Sequence, residues 1–240
     1  MLHIITPIYH YKLIQKVYQT IPLHEDIRWH IAYSQLRGVP TNLFISSDPR
    51  IILYPVNCDD TDIVSKRNAV FSAIKTGYFY LLDDDTKFMD EVYSIYTTYH
   101  RDGFRGMIIG NMLIRRYEKT TVYVAPFPTD DPAQTILDTG MAIASVDVLE
   151  NVKWANIPAG ATYFRDNLFW SRCFCYFGKD RVIQSNRIIS FYNFYGPLKR
   201  IHKRLLGIHL RININNPKLA RFYDFMASIK KRLLTYLYPN

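Results

Sequence analysis

Cysteine is scarce in this chain: 240 residues hold three, Cys58, Cys173 and Cys175. The last two sit too close together for a relaxed disulfide on a helix, so a reducing cytoplasm is the expected compartment. No apolar run approaches the ~18 residues of a membrane span. The opening residues show no basic stretch, long apolar core or small-residue cleavage site. Any membrane contact is therefore expected to be peripheral, on the inner face of the membrane. The seven histidines form no His-x-x-x-His pair and no Cys/His cluster, which argues against a zinc site. Also missing are Gly-x-Gly-x-x-Gly and Gly-x-x-x-x-Gly-Lys-Ser/Thr, the phosphate-cradling loops of Rossmann dehydrogenases and P-loop NTPases. No internal repeat is present.

What is there reads as a globular chain. Hydrophobic residues make up 48% and charged residues 21%, enough to bury a core. Aromatics reach 15%, an excess that suits either strand-rich packing or a binding surface. The net charge of +9 is segregated: residues 196–240 carry ten Lys/Arg against the single acid Asp224, which leaves residues 1–195 neutral. A tail of this kind suits an anionic surface, lipid or nucleic acid.

Hydrophobic periodicity predicts a strand over 2–5 halted by Thr6-Pro7, a helix over 11–21, and strands over 26–33, 42–45 and 51–56. A helix over 63–75 and a buried strand over 77–82 follow. A helix over 91–99, antiparallel strands over 106–115 and 121–124, a loop over 125–132, a strand over 141–144 and a helix over 162–177 complete the reading. Strands alternating with helices in the first hundred residues imply an α/β fold with an open, mostly parallel sheet, extended by antiparallel strands in the second half. In the tail, Leu198, Ile201, Leu205 and Ile208 share one helical face, and Phe222, Phe225, Met226, Ile229, Leu233 and Leu237 share another. These are basic amphipathic helices, which either dock on an anionic membrane or pack on the core.

Asp83-Asp84-Asp85 closes the buried strand. Three adjacent carboxylates cannot all stay ionised without a cation nearby. Hard oxygen ligands suit Mg²⁺ or Mn²⁺, and such an ion usually bridges to phosphate oxygens. Ligands of open α/β sheets bind at strand carboxyl ends, so a nucleoside diphosphate held through a metal is the expected ligand, with a plain helix-capping acid run as the alternative. The Asp-x-Asp-x-Thr/Val signature of haloacid-dehalogenase phosphatases is broken, because Lys87 stands where Thr or Val is required.

Ile4-Ile5-Thr6-Pro7-Ile8-Tyr9, Arg28-Trp29-His30, Lys66-Arg67-Asn68-Ala69 and the Asp83–Asp85 strand together resemble the GT-A glycosyltransferases over residues 2–180. Within them, the pattern is similar to the inverting β-glucuronyltransferase family and to bacterial family 2 transferases. The resemblance implies a GT-A, Rossmann-like open mixed sheet flanked by helices over residues 1–195. Residues 1–105 would form the nucleotide half, 106–195 the acceptor half, and 196–240 the basic helical extension.

It further implies that Asp85 ligates Mn²⁺ or Mg²⁺ on the donor diphosphate, helped by Asp83, and that Asp83 and Asp84 support ribose or water. Pro7 and Tyr9 would line the nucleotide pocket, and Arg67 would face diphosphate or uracil. Asp166, in Asp166-Asn167-Leu168-Phe169, would be the base that deprotonates the acceptor hydroxyl; its alternative role is a helix N-terminal acid. Asp138, before Thr139-Gly140-Met141, is the competing base or a donor-sugar contact, with Gly140 beside it. His202 and His209 are alternative third ligands, otherwise surface members of the tail helices. Two departures stand out. The acid expected after the second strand is replaced by Ile31-Ala32-Tyr33-Ser34, and the base is aspartate rather than glutamate.

The expected activity is therefore inverting transfer from a nucleoside-diphosphate sugar, UDP before GDP, to a saccharide or lipid-linked saccharide in surface glycan synthesis. The tail would meet an anionic membrane, and no nucleic acid is expected. Alternatives are a nucleotidyltransferase, although residues 7–12 contain no glycine, a nucleic-acid-binding protein acting through its tail, and an inactive scaffold.

Overall fold

The computed structural model describes residues 1–39, 48–116, 119–155 and 164–192. The strand expected at 42–45, the extension over 196–240 and its two histidines lie outside the described residues.

Nine strands form one sheet among the described residues. They are β1 (Leu2–Pro7), β2 (Ile27–Ser34), β3 (Ile51–Val56), β4 (Tyr78–Leu81), β5 (Lys87–Phe88), β6 (Met107–Arg116), β7 (Lys119–Tyr123), β8 (Ala142–Ser145) and β9 (Val182–Tyr192). The order is β3-β2-β1-β4-β8-β6-β9-β5, with β7 on β6. The first four are parallel, β8 is antiparallel to β4 and β6, and β9 returns parallel to β6. The order reverses direction on either side of β1, the arrangement that opens a ligand crevice at the strand carboxyl ends.

Among the described residues four α-helices accompany the sheet: α1 (Ile14–Tyr18), α2 (Ile63–Ala73), α3 (Asp90–Arg101) and α4 (Phe164–Phe177). Side chains alternate across the central strands, so two cores form. Ile5, Phe79 and Leu81 pack with Val70 and Phe71 of α2 and Phe169 and Trp170 of α4. Ile4, Tyr78 and Tyr80 pack on the opposite face with Ile14 and Val17 of α1 and Val92, Ile95 and Tyr96 of α3. A sheet covered on both faces explains why its strands read as near-continuous apolar runs.

Local chemistry sets the helix ends. Asp62 caps α2, accepting from the Ser65 amide at 2.9 Å and the Ser65 hydroxyl at 2.6 Å. Helix α3 carries Asp90 and Glu91 in its first turn and His100 and Arg101 in its last, complementing its dipole. It stops at Gly103, whose φ of 67° is the left-handed conformation that ends many helices.

Several elements differ from the sequence reading. Helix α1 is five residues rather than the eleven of 11–21. The two-residue strand β5 and the long β9 were not anticipated. Strand β9 has extra residues against β6 between Gln184 and Ser190, and these bulges break the alternation that betrays a strand.

Candidate active site

Strands β1 to β4 run parallel, so the loops that follow each of them meet on one edge of the sheet. The triplet Asp83–Asp85 follows β4 there, and its three carboxylates have different surroundings.

Asp84 is buried and holds the loop after β1. It accepts from the Tyr9 amide at 2.6 Å, from the His10 amide, and lies 3.1 Å from the His10 Nδ1. Charge-assisted bonds of this kind are the strong class. Asp84, expected to support ribose or water, is engaged here in fastening the Tyr9 loop to the end of β4. Lys66, fully buried, holds the same loop from below by donating to the Ile8 carbonyl at 2.7 Å and to the Asp60 carbonyl. Pro7 is buried at the end of β1, and Tyr9 is 43% exposed.

Asp83 faces the opposite way, toward α2. Arg67, only 3% exposed, donates to Asp83 Oδ1 at 2.8 Å and to Thr139 Oγ1 at 3.1 Å, and its Nη1 lies 3.7 Å from Asp166 Oδ1. Thr139 Oγ1 in turn donates to Asp166 Oδ2 at 3.2 Å. The guanidinium carbon stands 4.1 Å from the Trp154 ring centre, and Asn68 clamps the Trp154 backbone with two bonds of 2.9 Å. Arg67, expected against diphosphate or uracil, is therefore engaged between the two carboxylates, and Asn68 holds the plate on which it stacks.

The packing of α4 places Asp166. One turn beyond it, Phe169 lies 5.5 Å from Phe71 and 4.4 Å from Trp154, while Trp170 stacks on Phe79 at 6.1 Å. The Trp170 indole donates to the Asp138 carbonyl at 3.2 Å, drawing the loop before β8 onto the same helix. Asp138 caps the Thr139 amide at 2.7 Å. At Gly140 the backbone runs close to its neighbours: a Cβ there would stand 2.6 Å from the Ser190 hydroxyl and 3.1 Å from the Tyr80 hydroxyl. Sequence residues far apart are thus brought together: Arg67, Asp83, Asp138 and Asp166, with Asp85 beside them.

The electrostatics follow from this crowding. Burial pushes Asp83 up to about 7, with Asp85, Asp138 and Asp166 adding to the rise and Arg67 opposing it. Burial likewise raises Asp166 to about 7, again opposed by Arg67 and helped by Asp138. Asp85 is raised by burial and by Asp84. Two carboxylates share the Arg67 guanidinium, Asp85 and Asp138 lie close enough to interact electrostatically with them, and the partly exposed oxygens of this anionic cluster favour a hard cation.

Among the described residues no three His, Cys, Asp or Glu side chains already converge as a ligand cage. Mg²⁺ needs no such cage, since it keeps waters and binds through one or two carboxylates plus substrate phosphates. Asp85 and the second oxygen of Asp83 fit that requirement by donor chemistry.

Sequence reasoning missed Lys66, Thr139 and Trp154. The first left a signal: Lys66 and Arg67 lie with Val64, Val70 and Phe71 on the buried side of α2. Cations on a buried helix face announce acceptors elsewhere in the chain. Thr139 and Trp154 reach Arg67 across long sequence separations and left none.

The chain matches no family model and no curated protein. Solved structures do match. S. aureus TarS 1-349 superposes with a TM-score of 0.56 at 11% identity, covering 80% of this chain and 60% of that one. The same protein in complex with UDP-GlcNAc gives 0.58 at 11%, covering 79% and 57%. Its UDP complex gives 0.54 at 9%, covering 79% and 59%. TarS is a glycosyltransferase of GT-A type.

The chain has the GT-A fold.

It spans about 60% of the length of the TarS 1-349 structure it matches. The loops after β1 to β4 border one side of Asp83–Asp85, and β8 with α4 borders the other. Among the described residues no helix is long and apolar enough to cross a membrane.

Proposed function

We propose that this chain is a glycosyltransferase that moves a sugar from a UDP-sugar to a saccharide or lipid-linked saccharide hydroxyl, with inversion. The observation that carries the reading is Arg67, which ties Asp83 on the nucleotide side to Asp166 on the acceptor side within one pocket. The likeness to TarS, solved with UDP-GlcNAc and with UDP, supports a UDP-sugar donor.

In this mechanism Asp166 takes the acceptor proton as the acceptor oxygen attacks the anomeric carbon from the face opposite the diphosphate. A base works best with its pKa near the working pH, and burial has brought Asp166 to about 7. Arg67 and the Thr139 hydroxyl hold its two oxygens in place, and Asp138 stands next to it as the second carboxyl. Mn²⁺ or Mg²⁺, held by Asp85 and Asp83, would supply charge neutralisation at the leaving diphosphate. Tyr9 and Pro7 would border the nucleotide. The basic segment 196–240 would bring the enzyme to an anionic membrane surface where a lipid-linked acceptor resides.

The test is UDP release from a panel of UDP-hexoses by the full chain, with Mn²⁺, Mg²⁺ or EDTA, against Asp85→Asn and Asp166→Asn. Metal-dependent release lost in both variants supports the proposal. Release unaffected by both substitutions, or by EDTA, contradicts its site assignments.

A further inference from the structure

The departure noted after β2 leaves the nucleobase without an obvious partner. The sheet order limits where a base can lie. With the diphosphate at Asp83–Asp85 after β4, the β8 side is taken by Asp138 and Asp166, so the nucleoside extends toward the loops after β1, β2 and β3. Three of those loops converge on one ion pair. Arg37, three residues past β2, pairs with Asp60, four residues past β3. The guanidinium carbon of Arg37 stands 4.1 Å from the Tyr11 ring centre, in the loop after β1.

Arg37 is 48% exposed at its side chain. Among the described residues its recorded bonds use Nη1, to Asp60 Oδ2 and at 3.4 Å to the Tyr9 carbonyl. A guanidinium offers five N–H groups in one plane, so donors remain beside the Asp60 carboxylate. Asp60 is itself braced by buried Lys66, whose Nζ lies 3.7 Å from Oδ1. The result is a donor next to an acceptor, with an aromatic ring beside the guanidinium and part of it open to solvent.

We propose that Arg37 and Asp60 form the base-reading pair of this chain, selecting a base that presents a carbonyl beside a ring N–H, as uracil and guanine do. Arg37 donates to the carbonyl, and Asp60 accepts from the ring N–H. Cytosine and adenine present an amino group beside an unprotonated ring nitrogen, which sets donor against donor and acceptor against acceptor. Because the pair is partly exposed, a mismatched base leaves its donor and acceptor to water, so the expected discrimination is about tenfold rather than the larger factor of a fully buried site. This inference rests on the proposed function and extends it to the residues that choose the donor's base.

The experiment is calorimetric titration of the full chain with UDP, GDP, CDP and ADP in Mn²⁺, for the wild type, Arg37→Met and Arg37→Lys. The wild type is expected to bind UDP or GDP at least about tenfold tighter than CDP and ADP, and both variants to reduce that ratio below about threefold. Comparing UDP with GDP says which of the two bases fits. Lysine keeps the charge but lacks the planar fork, so full discrimination by Arg37→Lys overturns the pairing, as does unchanged discrimination in Arg37→Met. Asp60→Asn, which replaces one acceptor by a donor, should shift preference toward CDP, and it keeps the test open if an Arg37 variant fails to fold. A wild type that prefers CDP or ADP also overturns the inference while leaving the transferase reading intact. Binding of no nucleoside diphosphate removes the transferase reading itself.

Discussion

Replacing Arg67 by methionine removes the guanidinium between Asp83 and Asp166 while keeping an unbranched side chain against Trp154. The consequence depends on pH. Both carboxyls titrate near 7 in the folded protein and near 4 when unfolded, so the folded state binds more protons between those values and loses stability as pH rises through that window. In the methionine variant the opposing field of Arg67 is gone, both folded pKa values rise further, and the loss continues above pH 7.

At pH 5 the carboxyls are protonated in either protein, and the variant forfeits the stack on Trp154 and the bonds to Asp83 and Thr139, about 1–2 kcal/mol. At pH 9 it leaves two partly exposed carboxylates without the cation between them, about 2–4 kcal/mol once solvent screening is allowed for. Urea unfolding from pH 5 to 9 without divalent cations measures the difference. A gap that grows with pH above 7 is expected. A gap of equal size at every pH, or none, refutes the electrostatic role assigned to Arg67.

Four further outcomes are expected. Asp166→Asn should lower the transfer rate by about 10²–10⁴ while leaving UDP affinity unchanged, read by kinetics and titration. Asp84→Asn should destabilise the metal-free protein by about 2–4 kcal/mol, because the Tyr9 and His10 donors lose a charged acceptor, whereas Asp85→Asn should leave metal-free stability unharmed and abolish Mn²⁺-dependent stabilisation by UDP. Phe169→Ala should cost about 3–5 kcal/mol and lower activity in the surviving fold, since the ring holds α4 on Phe71 and Trp154.

The fourth concerns His30, buried against His3 and Tyr54 and pushed down to about 3 by burial, with His3 and Arg28 adding to the fall. Its contribution is whole above the unfolded value of about 6.5 and is lost as pH falls, by about 2 kcal/mol at pH 5. The acid limb of the stability curve should flatten by that amount in His30→Phe.

The first half of the sheet was readable because its strands are rich in apolar and β-branched residues and two of them end on residues that cannot continue them: Pro7 closes β1, and three acids follow β4. Helix α2 was readable over 63–75 from its apolar spacing, while its cap, Asp62, emerged only from the structure. Strand β9 was not, because its bulges around Asn186 and Arg187 destroy the two-residue period that a sequence can display. The Asp83–Asp85 triplet announced a cation-seeking site, yet the separate tasks of its members depended on what the fold brought near them: backbone amides for Asp84, a guanidinium for Asp83. Arg67 and Asp166 were both singled out from their motifs, but their pairing spans 99 residues of chain and is created by the packing of Phe169 and Trp170. The expectation for the tail lies outside the described residues.

In the proposed reaction a nucleoside diphosphate and a divalent cation meet at the carboxyl end of β4. A crystal structure of the full chain with UDP and Mn²⁺, recorded for anomalous scattering, tests it most directly. An Mn²⁺ peak about 2 Å from an Asp85 carboxylate oxygen, with the diphosphate beside it and Asp166 facing the leaving-group side from across the pocket, is the predicted result. A peak elsewhere, or UDP bound away from Asp83–Asp85, would contradict the account.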